Sequence, residues 1–136
     1  MNKNELVTTR DYKPEDRNFI LSTFLKGLRY GNDWFETIPS DIYFGFYHNV
    51  VEALLNLPDT KVKVACLLDD PEVILGYSVY SKEKLHWVFC KRAWRSIGIA
   101  KSLVPEEITT VTHLTAVGKS ILKKHPNLHF NPFEMS

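Results

Sequence analysis

Apolar residues in the first part of the chain recur at three- and four-residue intervals. Phe19, Ile20, Thr23, Phe24 and Leu28 share one face at helical spacing. Lys13-Pro14-Glu15-Asp16 puts a proline and two acids into the first turn, so a helix is predicted over residues 14–29. Gly31-Asn32-Asp33 breaks it. Pro39-Ser40-Asp41 starts a second helix with Ile42, Phe46, Val50, Leu54 and Leu57 on one stripe, and Pro58-Asp59 ends it. A short β-prone run, residues 6–11 (LVTTRD), precedes both helices. From residue 61 the period changes to two. Residues 61–68 (KVKVACLL) and 73–80 (VILGYSVY) flank the turn Asp69-Asp70-Pro71-Glu72 and read as a hairpin. After Ser81-Lys82-Glu83, residues 85–90 (LHWVFC) form a third strand. Residues 95–100 (RSIGIA) lead into a short helix that ends near Val104, before Pro105. Residues 108–114 (ITTVTHL) are predicted as a strand, 116–125 as a helix stopped by Pro126, and 128–130 as a last strand.

The predicted order is β-α-α-β-β-β-α-β-α-β. Two helices precede an antiparallel three-strand meander, and a helical crossover leads to a strand parallel to its predecessor. The class is α/β with a mixed central sheet. A chain of 136 residues, 44% apolar and 24% charged, suits one folded domain over residues 1–136. Lys plus Arg and Asp plus Glu nearly cancel to a formal charge of +1, which argues against a nucleic-acid or anionic-membrane partner. Cys66 and Cys90 lie inside apolar runs and read as small buried hydrophobes in a reducing compartment. No apolar stretch approaches the ~18 residues that span a bilayer, and the polar start lacks a signal peptide's apolar segment. These features lead to the expectation of a soluble cytoplasmic protein.

Chemistry concentrates in residues 85–103, LHWVFCKRAWRSIGIAKSL. A strand enters a basic loop, and a glycine-containing turn opens a helix. A helix start offers unpaired N–H groups and the positive end of the dipole. Gly98 lets a ligand approach the backbone, Ala100 adds little bulk, and Arg95 supplies fixed positive charge with Lys91, Arg92 and Lys101 nearby. The arrangement suits a pyrophosphate. It equally fits an ordinary helix start with a solvated charged face.

Arg95-Ser96-Ile97-Gly98-Ile99-Ala100 resembles the R/Q-x-x-G-x-G/A motif of the GNAT superfamily of N-acetyltransferases. Val88 and Cys90 take the two apolar strand positions before it, Trp94 the aromatic position, and Ile74-Leu75-Gly76-Tyr77 looks like the preceding strand. The similarity in element order covers nearly the whole chain, and the details look most like the compact versions encoded by tailed phages, which would place the protein in a host cytoplasm. The resemblance implies that the strand before the motif splays from the next parallel strand, with acetyl-CoA in the opening. It implies that the backbone of Val88, Phe89 and Cys90 pairs with the pantetheine. Arg95 and the N–H groups of Ser96, Ile97, Gly98, Ile99 and Ala100 would hold the pyrophosphate. The implied reaction is direct acetyl transfer to an amine on a small molecule or a protein, with the thioester oxygen polarised by a strand N–H.

The chain departs from the family in three places. Arg92 stands where proline is frequent. The helix after Gly98 is very short, because Pro105 follows. No tyrosine lies on the last helix, where many members place the acid for the leaving thiolate; the matching position here is Leu122. Ser120, His113 and Tyr77 remain as donors.

His86 lies two residues before Val88, so strand alternation puts it on the face of Val88 and Cys90. Family members often place a general base on this strand, and a histidine of pKa about 6.5 suits that task. Packing or simple hydrogen bonding is the alternative. His113 is expected near the splayed gap as acid or base, or as a cap for the next helix together with Thr115. His125 and His129 have metal-pair spacing, but Pro126 breaks the helix between them, and no metal site is predicted. The aromatics Tyr30, Trp34, Phe35, Tyr43, Phe44, Phe46 and Tyr47 form an acceptor wall, or core packing plus a patch for a homodimer. An inactive GNAT-fold binding module is the rival reading. A nucleic-acid module using Lys91, Arg92, Trp94, Arg95 and Lys101 is a further one, which the near-zero net charge disfavours.

Overall fold

Strands and helices assemble around a six-stranded sheet whose spatial order follows the sequence. The computed structural model describes residues 3–134, with the side chains of Ala116, Val117 and Ser120 outside the described set. The elements are β1 (Val7–Asp11), α1 (Arg17–Tyr30), α2 (Asp33–Glu36), α3 (Ser40–Leu55), β2 (Lys61–Leu67), β3 (Ile74–Ser81), β4 (Lys84–Cys90), α4 (Ile99–Leu103), β5 (Thr110–Val111), α5 (Ala116–Lys124) and β6 (His129–Phe130). Strands β1 to β4 are antiparallel neighbours, and β4–β5 and β5–β6 are parallel. The mixed α/β sheet expected from the sequence is therefore present.

Strand alternation divides the core between the two faces. Val64, Tyr77 and Val79 pack with Ile20, Phe24 and Leu25 of α1 and Val51 and Leu54 of α3. Ala65 and Leu75 pack with Ile99 and Leu103 of α4. The entry to α1 is fixed by charge as well as by Pro14. The Asp16 carboxylate accepts two hydrogen bonds from Arg10 of β1, at 2.8 and 2.9 Å, and a third from the Lys13 N–H at 2.8 Å. The Arg10 contact, assisted by that N–H, holds the carboxyl below its ordinary range although burial works against it.

Three expectations are corrected. The buried stripe of α3 is Tyr43, Val51 and Leu54, while Ile42 and Phe46 are 60% and 63% exposed and Leu57 lies beyond the helix. So many positions of this helix are apolar that periodicity alone does not fix its face. Tyr43 fixes it, because its hydroxyl reaches the Leu25 carbonyl at 2.7 Å and the ring can be wholly buried. The short α2 occupies the segment after the Gly31 break, where no helix was expected. The strand predicted over 108–114 shrinks to two residues, for a reason that bears on function.

Candidate functional site

The backbone of β4 changes its partners halfway along. The Lys91 N–H donates to the Leu75 carbonyl at 2.8 Å, which sets the phase of the β3–β4 ladder. Trp87 and Phe89 then turn their backbone groups toward Val79 and Tyr77, and Val88 and Cys90 turn theirs away. At the start of β4 the phase is opposite: the Glu83 and Leu85 carbonyls accept from Thr110 and Thr112 of the β5 segment, each at 3.1 Å. The switch occurs at His86. Val79 pairs with Trp87 and Tyr80 with Leu85, so His86 is the extra residue of a β-bulge.

Beyond the bulge no strand among the described residues replaces β5. The parallel pairing is confined to Lys84↔Thr110 and Leu85↔Val111. The two strands part just after Leu85, which is why β5 is short. The N–H and C=O of Val88 face this opening. Those of Cys90 face it too, but its carbonyl already accepts from Arg95 Nε at 3.1 Å. Trp87 and Phe89 project toward α1, where Trp87 stacks on Phe24 at 4.8 Å and Phe89 meets Phe19 at 5.9 Å. Val88 and Cys90 project toward α4.

The loop after β4 carries the second half of the site. Ser96 and Gly98 have φ of 68° and 89°, both left-handed. A Cβ built on Gly98 would meet nothing within 4 Å, so open space lies in front of the start of α4. Among the described residues the N–H groups of Ser96, Ile97 and Gly98 have no acceptor. The first turn of α4 leaves its own N–H groups free, as any helix start does. Ile99 is buried against the sheet and Ala100 is exposed. Gly76 closes the back of the site: a Cβ there would stand 2.5 Å from the Phe89 carbonyl oxygen. Burial raises the Cys90 thiol above its ordinary pKa and Arg95 opposes that shift, so this sulfur is not an activated nucleophile.

The two histidines lie on the α1 side of the opening. Because the bulge reverses the alternation, His86 shares the side of Trp87, which corrects the expectation that it faces with Val88 and Cys90. Its ring is 1% exposed, with Nδ1 2.8 Å from the Thr112 hydroxyl and Nε2 3.1 Å from that of Ser81. His113 is half-buried, with Nδ1 3.0 Å from the same Thr112 oxygen and its ring edge-on to Phe24 at 5.3 Å. Burial, helped by Lys84, pushes His86 down to about 4. Burial and the neighbouring His86 push His113 to about 4, opposed by a hydrogen bond to the backbone of His86. Both rings are neutral at pH 7. Ser81 and Thr112 were not singled out from the sequence. A threonine beside a histidine in a β-prone run carries no signal that its hydroxyl bridges two rings.

Tyr77 is fully buried, and its hydroxyl meets Thr23 at 2.7 Å and the Ile20 carbonyl at 3.1 Å. Its pKa is raised, chiefly by burial. As a proton donor to a ligand it is therefore withdrawn. Ser120 lies outside the described side chains. Trp94 packs beside α4 under Lys3, whose Nζ sits 5.0 Å from the ring, so it is not offered for base stacking. His129 Nε2 pairs with the Thr110 hydroxyl at 3.1 Å, and among the described residues no cluster of three metal-ligating side chains occurs. Among the aromatics, Phe35, Tyr43 and Tyr47 interlock, while Tyr30 and Trp34 are 62% and 68% exposed. No described helix is long and apolar enough to cross a membrane.

Known structures share this fold. A candidate acetyl transferase from Pyrococcus furiosus superposes with a TM-score of 0.61 at 15% identity, over 92% of this chain and 81% of that one. The chain has the GNAT fold. A candidate acetyltransferase from Clostridium difficile 630 matches at 0.50 and 17% identity, over 92% of this chain and 76% of that one. AAC(6')-Iy, in complex with the bisubstrate analog CoA-S-monomethyl-acetylneamine, matches at 0.50 and 15% identity, over 92% and 90%. No family model matches the sequence, and no curated protein does. The parted β4–β5 pair lies within the sheet, and the loop with left-handed Gly98 follows β4 directly.

Proposed function

We propose that this chain is an acetyl-CoA-dependent N-acetyltransferase acting on a primary amine. The observation that carries the reading is the unpaired Val88 edge beside the unsatisfied N–H groups of the 96–98 loop, with free space in front of Gly98. An edge that bonds amides next to a turn that bonds anions fits a ligand with an amide-bearing arm and a pyrophosphate. Val88, Phe89 and the Cys90 N–H are assigned to the arm; Arg95 and Ser96 through Ala100 are assigned to the phosphates. Acetyl-CoA supplies an acetyl group activated as a thioester: the amine nitrogen bonds to the acetyl carbon as the carbon–sulfur bond breaks, the amine loses a proton and the thiolate gains one.

The protein's share is positional and electrostatic. The Val88 N–H, aimed into the opening, polarises a carbonyl oxygen placed there. His113, neutral at pH 7, two residues past the last β4–β5 pair and less buried than His86, is the proton-handling group we assign. His86, with both nitrogens engaged, acts behind it rather than on substrate. The acceptor is a small-molecule amine in this reading. AAC(6')-Iy, with its acetylneamine analog, supports the class and leaves the acceptor open. The free cysteines Cys66 and Cys90 suit a reducing cytoplasm, and exposed Ile42 and Phe46 suit a second copy of the chain. The five-residue α4 and the absence of tyrosine from α5 favour the rival reading of an inactive binding module.

Thiol release from acetyl-CoA, measured with a panel of primary amines, separates the two. Amine-dependent release supports the transferase. Acetyl-CoA binding without release under any amine supports the binding module.

A further inference from the structure

The family position for the thiolate acid is filled by Leu122, so the source of that proton is open. The bulge brings four groups of this chain into one line: Ser81 Oγ, 3.1 Å to His86 Nε2; His86 Nδ1, 2.8 Å to Thr112 Oγ1; and Thr112 Oγ1, 3.0 Å to His113 Nδ1. One end lies at the gap between β4 and β5. The other end lies at the last residue of β3, next to exposed Lys82 and Glu83 of the hairpin.

Hydrogen-bond valence restricts what this line can be. Thr112 is 2% exposed and its oxygen has a single proton to share between two ring nitrogens. The oxygen can accept from both Nδ1–H groups, or accept from one and donate to the other. A relay through Thr112 needs the second arrangement, which puts the two imidazoles in opposite tautomers. A proton delivered at the gap must leave from His113 Nε2, and that requirement sets the direction of the line. Ser81 donates to His86 Nε2, His86 Nδ1–H donates to Thr112, Thr112 donates to His113 Nδ1, and His113 carries its proton on Nε2.

The geometry points to a proton relay, Ser81–His86–Thr112–His113, that delivers a solvent proton to the leaving thiolate in place of the absent tyrosine. The inference rests on the transferase reading. The balance closes without any redox partner. His113 Nε2 gives its proton to the sulfur while Nδ1 takes the Thr112 proton. Thr112 is refilled from His86 Nδ1, His86 Nε2 from Ser81, and Ser81 from water. The net change is one solvent proton consumed and one thiol formed. The groups facing the relay are Lys84 on β4, Phe24 on α1 and the relay members themselves. Thr112 and Ser81 are positioning residues, since they act through the histidines.

The test uses the full chain with ¹⁵N-labelled histidine at pH 7. Long-range proton–nitrogen spectra are expected to show His86 protonated on Nδ1 and His113 on Nε2. Thr112→Val, close to isosteric, should scramble both assignments, and Thr112→Ser should restore them. The same tautomer on both rings, or no change in Thr112→Val, overturns the relay. A kinetic arm tests its use. Thr112→Val should lower kcat with acetyl-CoA by about 10- to 100-fold while the KM for acetyl-CoA stays within a few-fold. An acetyl thioester of p-nitrothiophenol, whose thiolate leaves unprotonated, should be used equally well by both proteins. Equal losses with both donors overturn the proton-delivery role. If wild type releases no thiol with any amine, the transferase reading fails, and the tautomer spectra still decide whether the chain exists.

Discussion

The two ends of β4 teach different lessons about how a buried backbone is satisfied. At Lys84 and Leu85 the strand is paired on both edges, and the polar side chains around it close on one another. Past the bulge, Val88 is paired on one edge only, and the loop that follows leaves the N–H groups of Ser96, Ile97 and Gly98 without acceptors. Ser96 and Gly98 are exposed and Ile97 is half-buried, so water completes these bonds in the free chain and a ligand that replaces it finds donors in place. The first region holds the fold together; the second is available to a ligand. The consequence is a separation: damage to the first should cost stability and spare binding, and damage to the second should do the reverse.

Removing the Arg10–Asp16 pair, which ties β1 to the start of α1 away from both halves of β4, is the severest test of lost stability with spared binding. Asp16→Ala leaves the Arg10 guanidinium, largely buried, without its carboxylate and should destabilise the fold by about 4 kcal/mol. Denaturant unfolding measures this, and the increment in melting temperature given by acetyl-CoA should survive. Because Arg10 depresses the Asp16 pKa in the folded state, its contribution is complete above the unfolded carboxyl value and disappears as pH falls through the folded one. The variant and wild type should therefore converge below about pH 4. Gly76→Ala comes next. Its Cβ would meet a backbone oxygen at 2.5 Å, which cannot swing aside, so a loss of about 3 kcal/mol is expected. This position sits on the border between the regions, and here some loss of acetyl-CoA affinity should accompany the lost stability.

The histidines give a pH signature. Both have folded values lowered from 6.5 to about 4, so the unfolded chain binds protons first. Wild-type stability should fall as pH drops from about 6.5 to 4, and His113→Phe should flatten that slope. An unchanged slope would contradict the burial assigned to that ring. The smallest effect is expected from Leu122→Tyr, which should change turnover less than tenfold if the thiolate is served from the other side of the gap. A large gain would show that the acid is missing and that the enzyme has decayed.

Much of the fold was legible because it rests on local patterns. Alternation in residues 61–68, 73–80 and 85–90 gives the meander, and the Pro14 and Ser40 starts give the long helices. The 95–100 segment stands out in the sequence because a glycine at a helix start and a preceding arginine are both visible in the letters. The bulge at His86 was not legible. It adds no unusual residue, and it follows from the registers of β3 with β4 and of β4 with β5 taken together. The side on which His86 lies and the early end of β5 depart from expectation for the same reason, and the bridging role of Thr112 carries no signal in the sequence. The face of α3 failed differently. Apolar side chains surround much of that helix, and only the reach of the Tyr43 hydroxyl to Leu25 decides which of them go inside.

The separation between a closed and an open half of β4 is tested most directly by heating wild type and Gly98→Glu with and without saturating acetyl-CoA. A ligand at 100 times its dissociation constant contributes roughly 2.7 kcal/mol, which for a domain of this size raises the melting temperature by about 10 °C. Gly98→Glu puts bulk and negative charge into the space in front of the loop. Wild type should gain about 10 °C, and the variant should gain nothing. A wild-type melting curve that acetyl-CoA and CoA both leave unmoved would contradict the account.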